Sequence, residues 1–346
     1  MDSLYLATAP PLDLAWLAHE ASPDFPTRAT NLTPLENQAH YASSCRALTE
    51  RMTAPGTRLH HLRTITKTSL TIPSQLDGFH IPVIRYSPPS PPTNNHANPP
   101  QQNNPPITIL YIHGGGLWIG EADSEELSCL RITHFLSSHH QSTNIEVCSV
   151  GYRLMPRHPA NTCLSDCLSV FSFLEEESSK KNGKLILVGS SSGGELAALV
   201  SQSAEPGELH GVILRGPVTS DAFSGMEYVP ERLRGMHTSA WEKSFYTTLL
   251  GFMRRDVPRD GLERMPLEAG VEVFAKLPKT WIQVCTNDAL YSDGVCYAKA
   301  LEDAGVEVKV DVIKGWPHTF WLVAPHLERA WAADEAMLGG LAWVAE

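Results

Sequence analysis

The sequence predicts an α/β protein with a mostly parallel central sheet, helices on both faces and a helical cap. Three observations lead there. From Ile107 onward, short apolar runs of strand length alternate with segments of helical length. Those runs are apolar throughout, as strands buried on both faces of a parallel sheet are. The rhythm breaks over 218–277, where Phe223, Tyr228, Trp241, Phe245, Tyr246, Phe252 and Phe274 punctuate a stretch too long for a bare loop, so a small cap is expected there.

The elements follow in order. Leu12, Leu14, Trp16 and Leu17, then Leu35, Tyr41, Leu48 and Met52, recur at mixed helical spacing across 10–55. Two strand-like runs come next, at about His60–Ile72 and Phe79–Tyr86. The second alternates through Phe79, Ile81 and Val83, and Asp77-Gly78 marks a turn between them. Residues 87–106 hold eight of the 26 prolines and no Asp, Glu, Lys, Arg, Phe, Tyr or Trp. Such a segment cannot bury enough apolar surface to offset its ordering entropy, so a solvated, disordered loop is expected. Pro88 and Pro91 give one PxxP spacing, but no basic residue stands beside it to favour an SH3-type partner.

Strands are then expected at Ile107–Ile112, Ile145–Val150, Leu185–Val188, Val212–Leu214, Trp281–Cys285 and Val306–Ile313. Helices are expected at 124–138, 160–176, 193–203, 292–304 and 326–343. Reactive groups in such sheets gather at the carboxyl ends of the strands.

Composition narrows the function. The 346 residues carry 27 Lys+Arg against 38 Asp+Glu, a net −11, with 42% hydrophobic and 19% charged residues. The acid excess excludes a nucleic-acid partner, which needs a basic footprint to displace counterions. No run approaches the roughly 20 apolar residues of a membrane span. The N-terminus has Asp2 and no Lys or Arg before Arg28, unlike a secretory signal. Seven scattered cysteines form no disulfide framework. Cys163 and Cys167 are four apart, but without a clustered His or Cys they read as core thiols, not half a metal site. A reducing, cytoplasmic home is expected, with no metal and no cofactor.

The chemistry sits in three places. Residues 185–194 run from a buried strand through Gly189-Ser190-Ser191-Ser192-Gly193 into a helix. The glycines remove side chains from a turn too tight for them and thrust Ser191 out as a nucleophile. A Gly-rich phosphate loop is the alternative, but no P-loop lysine or dinucleotide spacing accompanies it. Next, His113-Gly114-Gly115-Gly116 at another strand end exposes backbone N–H groups. Gly114, Gly115, Gly116 and the N–H of Ser192 are the expected oxyanion donors. His113 is expected to orient that loop. Finally, His318 follows the last strand and Asp288 the one before it. Asp293, five residues on, competes as the acid but falls inside the next helix. The order Ser191, Asp288, His318 is that of an α/β-hydrolase triad, in which the Asp fixes the His tautomer and the His shuttles the Ser proton.

Together these motifs resemble the hormone-sensitive-lipase-like carboxylesterases of the α/β-hydrolase fold. The carriers are HGGG at 113–116, Gly151-Tyr152-Arg153-Leu154-Met155-Pro156-Arg157-His158-Pro159, the Gly189–Gly194 elbow, Asp288 with Leu290, and His318 with Phe320. The resemblance implies a two-part cap, from helices in 1–55 and the insert 218–277, over a core of 56–217 and 278–346. Four positions depart from the family pattern: Ser190 replaces Asp or Thr, Ser192 replaces Ala, Glu195 replaces Asn, and the aromatic after HGGG is displaced to Trp118. An acid at Glu195 is expected either to shift the local charge balance or to hold a cap residue.

The resulting expectation is a serine carboxylester hydrolase that acts through an acyl-enzyme on small to medium acyl esters. Deacetylation or lactone opening of a secondary metabolite falls within that class. Trp118, Tyr228, Trp241 and Phe245 are expected to line the pocket. The alternatives are a lyase or dehydratase, or a small-molecule-binding protein, using the same pocket. Family members often pair through edge strands, so a homodimer is the implied assembly, although no residue demands it.

Overall fold

The computed structural model describes residues 1–23, 25, 32–89, 105–139 and 144–346. Two helices, α1 (Leu14–Glu20) and α2 (Pro34–Met52), precede the sheet. α2 starts at a reciprocal capping box: the Glu36 N–H donates to Thr33 Oγ1 at 3.3 Å and the Thr33 N–H donates to Glu36 Oε2 at 2.8 Å. Pro34 follows at a position where a missing N–H costs nothing. The strands are β1 (Thr66–Pro73), β2 (His80–Ser87), β3 (Ile107–Ile112), β4 (Ile145–Val150), β5 (Lys184–Ser190), β6 (Gly211–Arg215), β7 (Thr280–Asn287) and β8 (Val308–Pro317). The helices among and after them are α3 (Glu126–His139), α4 (Ala160–Lys180), α5 (Ser192–Ser201), α6 (Val271–Phe274), α7 (Tyr291–Asp303), α8 (Phe320–Val323) and α9 (Glu328–Ala345).

These strands form one eight-stranded sheet in the order β1-β2-β4-β3-β5-β6-β7-β8. β1–β2 and β2–β4 pair antiparallel, and every later pair is parallel. Alternation along β3 divides the core: Ile107, Ile109 and Tyr111 join the cluster with α3 and α9, while Leu110 and Ile112 join the one with α4, α5 and α7. Both faces are covered, which is why β3 has no exposed residue. Cys163 and Cys167 are packed inside the second of these clusters as small apolar side chains.

Two expectations change. His60–Thr64 is a 3₁₀ helix instead of the start of a strand, because Leu59 and Leu62 turn inward together at a three-residue spacing. The insert 218–277 holds five short 3₁₀ turns and the one-turn α6 in place of longer helices. Leu233, Phe245, Met265, Leu267 and Phe274 bury it against the main core, so packing substitutes for helical length. The Pro/Asn-rich loop lies, over 90–104, outside the described residues. Among the described residues, no helix is long and apolar enough to cross a membrane.

Candidate active site

Ser191 stands where central strand β5 meets α5, with φ 52° and ψ −124°. A non-glycine residue there stores about 1–3 kcal/mol, so its surroundings must hold it. Its N–H donates to the Arg215 carbonyl at 2.9 Å, and its own carbonyl accepts from Gly194 at 2.9 Å and Glu195 at 3.2 Å. The glycines on either side are sterically required. A Cβ on Gly189 would lie 2.2 Å from the Gly193 carbonyl oxygen, and one on Gly193 would lie 2.1 Å from that of Ile112.

The sheet register brings the other two groups together. Asn287 and Pro317 are ladder partners at the ends of β7 and β8, so Asp288 and His318 emerge side by side. His318 Nδ1 donates to Asp288 Oδ2 at 2.7 Å, and its Nε2 lies 2.9 Å from Ser191 Oγ. The second carboxylate oxygen accepts the Leu290 N–H at 2.9 Å. Asp288 and His318 are both buried. Gly216 leaves room for the imidazole, since a Cβ there would sit 3.3 Å from His318 Cε1.

The glycine loop follows β3, the neighbour of β5, and Ile112 pairs with Gly189. A Cβ on Gly115 would sit 2.0 Å from the Ile119 carbonyl oxygen, and φ is 116° at Gly115 and 65° at Gly116. The N–H groups of Gly115, Gly116 and Ser192 have no hydrogen-bond partner among the described residues. The Gly114 N–H instead donates to Glu125 Oε1 at 2.7 Å. Of the four expected donors, Gly114 is therefore committed to its own protein. The Ser192 side chain ties the elbow to the glycine loop, because its Oγ accepts the Leu117 N–H at 3.3 Å.

His113 is buried beneath this loop, stacked on Tyr152 at 4.3 Å between centroids, with Nδ1 donating to the Gly114 carbonyl at 2.7 Å. Burial lowers its pKa, which keeps the ring neutral. Tyr152 Oη donates to the His113 carbonyl at 2.9 Å. The imidazole thus braces the loop.

Asp293 reaches different neighbours from Asp288. Its Oδ2 accepts the N–H groups of Thr219 and Ser220 at 2.6 and 2.8 Å, and its Oδ1 faces His237 Nε2 at 2.8 Å. It pins the start of the insert to α7. Glu195 faces Arg255 of the 218–277 insert without a hydrogen bond to it. It is buried beside Arg255, with Oε2 3.9 Å from Nη2, while Asp221 and Asp260 approach the same guanidinium at 3.5 and 3.4 Å. Burial first, then the surrounding acids, raise Glu195 to a pKa of about 7 against the opposing pull of Arg255.

The four expected pocket aromatics lie in different surroundings. Phe245 is fully enclosed, stacked on Tyr291 at 6.2 Å, and so packs the core instead of facing a ligand. Trp241 is 50% exposed. Tyr228 lies under Arg259 at 4.9 Å. Trp118 is half-buried beside the glycine loop, its carbonyl accepting Gln38 Nε2 of α2 at 2.8 Å. A cleft of about 490 Å³ opens behind that loop, between Gln38, Thr71 and Arg157, and no triad residue lines it. Sequence reading missed Glu125 and Arg255. Glu125 reads as an ordinary acid at a helix start, and Arg255 sits in a segment without periodicity.

Comparison with known proteins agrees with this architecture. The family profile described as the α/β-hydrolase fold matches residues 109–322. An ethyl acetate hydrolase of Pseudomonas putida is 31% identical over 277 residues, covering 76% of this chain and 77% of that protein. A versiconal hemiacetal acetate esterase of Emericella nidulans is 31% identical over 263 residues, covering 72% and 86%. Among solved structures, vibralactone cyclase superposes with a TM-score of 0.76 at 21% identity, over 98% of this chain and 96% of that one. The profile spans more than half of the chain and each of the two relatives more than two thirds. The protein therefore belongs to the hormone-sensitive-lipase-like carboxylesterases of the α/β-hydrolase fold, a family of carboxylic ester hydrolases.

Proposed function

We propose that the enzyme cleaves acetyl and other short acyl esters of a secondary metabolite through an acyl-enzyme on Ser191. The Ser191–His318–Asp288 hydrogen-bond chain, at 2.9 and 2.7 Å, carries this reading. His318 takes the Ser191 proton as Oγ attacks the acyl carbon, and Asp288 holds the tautomer and balances the imidazolium. The N–H groups of Gly115, Gly116 and Ser192 receive the oxyanion. Collapse expels the alcohol with the proton from His318. A water deprotonated by the same histidine then attacks the acyl-enzyme, releasing the acid and restoring Ser191. A lactone passes through the same steps with its alcohol tethered. Two of the relatives are named for acetate esters that differ in their alcohol, which supports a small acyl site with the variation on the alcohol side.

Six of the seven thiols pack into the core as apolar groups, which supports a reducing, cytoplasmic setting. The edge strands β1 and β8 are the surfaces through which a homodimer would form; light scattering measures this directly.

The test is turnover of p-nitrophenyl acetate and butyrate together with fluorophosphonate labelling. The wild type is expected to prefer acetate and to label at Ser191. Ser191→Ala is expected to lose at least about 10⁴-fold in kcat and all labelling. An unlabelled wild type without turnover overturns the reading.

A further inference from the structure

Glu125 is 3% exposed, just ahead of α3, and both of its carboxylate oxygens are engaged beneath the catalytic loops. Oε1 accepts from the Gly114 N–H at 2.7 Å and from Ser190 Oγ at 2.5 Å, and Oε2 accepts from Tyr111 Oη at 2.5 Å. Gly114 opens the glycine loop, and Ser190 immediately precedes the nucleophile. A carboxylate is the side chain that accepts at two oxygens without donating, so one group takes bonds from both segments. The two segments also touch. A Cβ on Gly114 would lie 3.0 Å from the Ser190 carbonyl oxygen and 3.1 Å from Ser191 Cβ. Any shift of Gly114 is passed directly to the adjoining N–H groups of Gly115 and Gly116.

We propose that Glu125 is a positioning residue for ester cleavage, clamping the glycine loop onto the nucleophile elbow. It thereby sets the distance from Ser191 Oγ to the donors at Gly115, Gly116 and Ser192. It touches no reacting atom and acts through Gly114 and Ser190. The clamp also accounts for Ser190. An Asp there would set a second carboxylate against Glu125, whereas a hydroxyl, from Ser or Thr, supplies the donor that Glu125 needs. The inference rests on the hydrolytic reading above.

The test compares Glu125→Ala and Glu125→Gln with Leu136→Ala, a core truncation on α3 that leaves the clamp untouched. Rates on p-nitrophenyl acetate are normalised to the endpoint of fluorophosphonate labelling. Affinity for a trifluoromethyl ketone, whose serine adduct carries the oxyanion, is measured alongside. Glu125→Ala is expected to lower kcat by about 10²-fold, with KM within about threefold, because misplaced donors act on the transition state. Ketone affinity should fall in parallel. Glu125→Gln keeps an acceptor and should recover to within about tenfold of wild type. Leu136→Ala should lower Tm and leave kcat per labelled site unchanged.

The proposal is overturned if Glu125→Ala and Leu136→Ala show the same kcat per site, or if KM rises while kcat and ketone affinity hold. Should Glu125→Ala not fold, Ser190→Ala deletes one of the three bonds. A smaller parallel loss of kcat and ketone affinity then sustains the clamp, and an unchanged kcat removes it. A wild type that neither turns over nor labels fells the hydrolytic reading along with this one. Normal wild-type turnover beside an unaffected Glu125→Ala removes this inference alone.

Discussion

Asp288 and Asp293 are both buried and lie five residues apart, yet their hydrogen bonds point to different work. Asp288 faces His318 at 2.7 Å, whereas Asp293 holds Thr219, Ser220 and His237. Asp288→Asn is expected to cut kcat by about 10⁴-fold with little change in Tm, since an amide presents the wrong partner to Nδ1. Asp293→Asn is expected to cost about 1–3 kcal/mol of stability by leaving buried donors unpaired, with kcat per folded molecule preserved. Kinetics beside thermal melts on both variants separate the two, and equal kinetic losses would contradict the assignment. Sequence order favoured Asp288 because it follows a strand end. The neighbours of Asp293 were hidden, since Thr219 and His237 are 74 and 56 residues away in the chain. Gly114 shows the limit of a motif. HGGG announces three bare N–H groups, but the one that Glu125 takes is visible only in three dimensions.

At the scale of elements, α5 carries Ser191, the proposed nucleophile, at its start and Glu195 in its first turn, where an acid is normally favoured by the helix dipole. Burial against the insert reverses that advantage. Burial disfavours charge on Arg255 too, but Glu195, Asp260 and Asp221 outweigh it and raise the guanidinium's pKa. Glu195 titrates in the folded state near 7, above the ordinary 4.5, so the folded chain keeps a proton that the unfolded chain has lost between those values. Its contribution to stability is complete below the unfolded pKa and drains away as pH rises through 7. Glu195→Gln, neutral throughout, should match wild type at about pH 4 and exceed it in Tm at about pH 8. A variant that is less stable than wild type at the higher pH would show that Arg255 holds a charged Glu195. The regular elements were readable because their apolar runs have a clear period. The insert was not, because tertiary burial of Phe245 and Phe274 stabilises turns that have no period of their own.

Across the whole molecule, the register places the end of β2 and the start of β3 at the end of the sheet opposite the site. Tyr86 pairs with Val147, Val147 with Ile109, and Ile107 with Ile145, so those two strand ends lie about two strand spacings apart, roughly 10 Å. The glycine loop lies beyond the other end of β3, about 20 Å further on. Replacing residues 90–104 with a short Gly/Ser linker should therefore leave kcat/KM within about twofold, since loop length alters closure entropy only slowly. A collapse of kcat/KM on p-nitrophenyl acetate would contradict this. The sequence by itself determined the α/β class, the strand positions from Ile107 onward and the Ser191, Asp288, His318 order, because periodicity and strand-end motifs are local. Only the tertiary structure decided which glycine N–H groups stay free, which acid meets His318 and that Phe245 packs inward. Those outcomes depend on pairings between distant segments, such as Asn287 with Pro317 and Glu125 with Ser190, which no local pattern encodes.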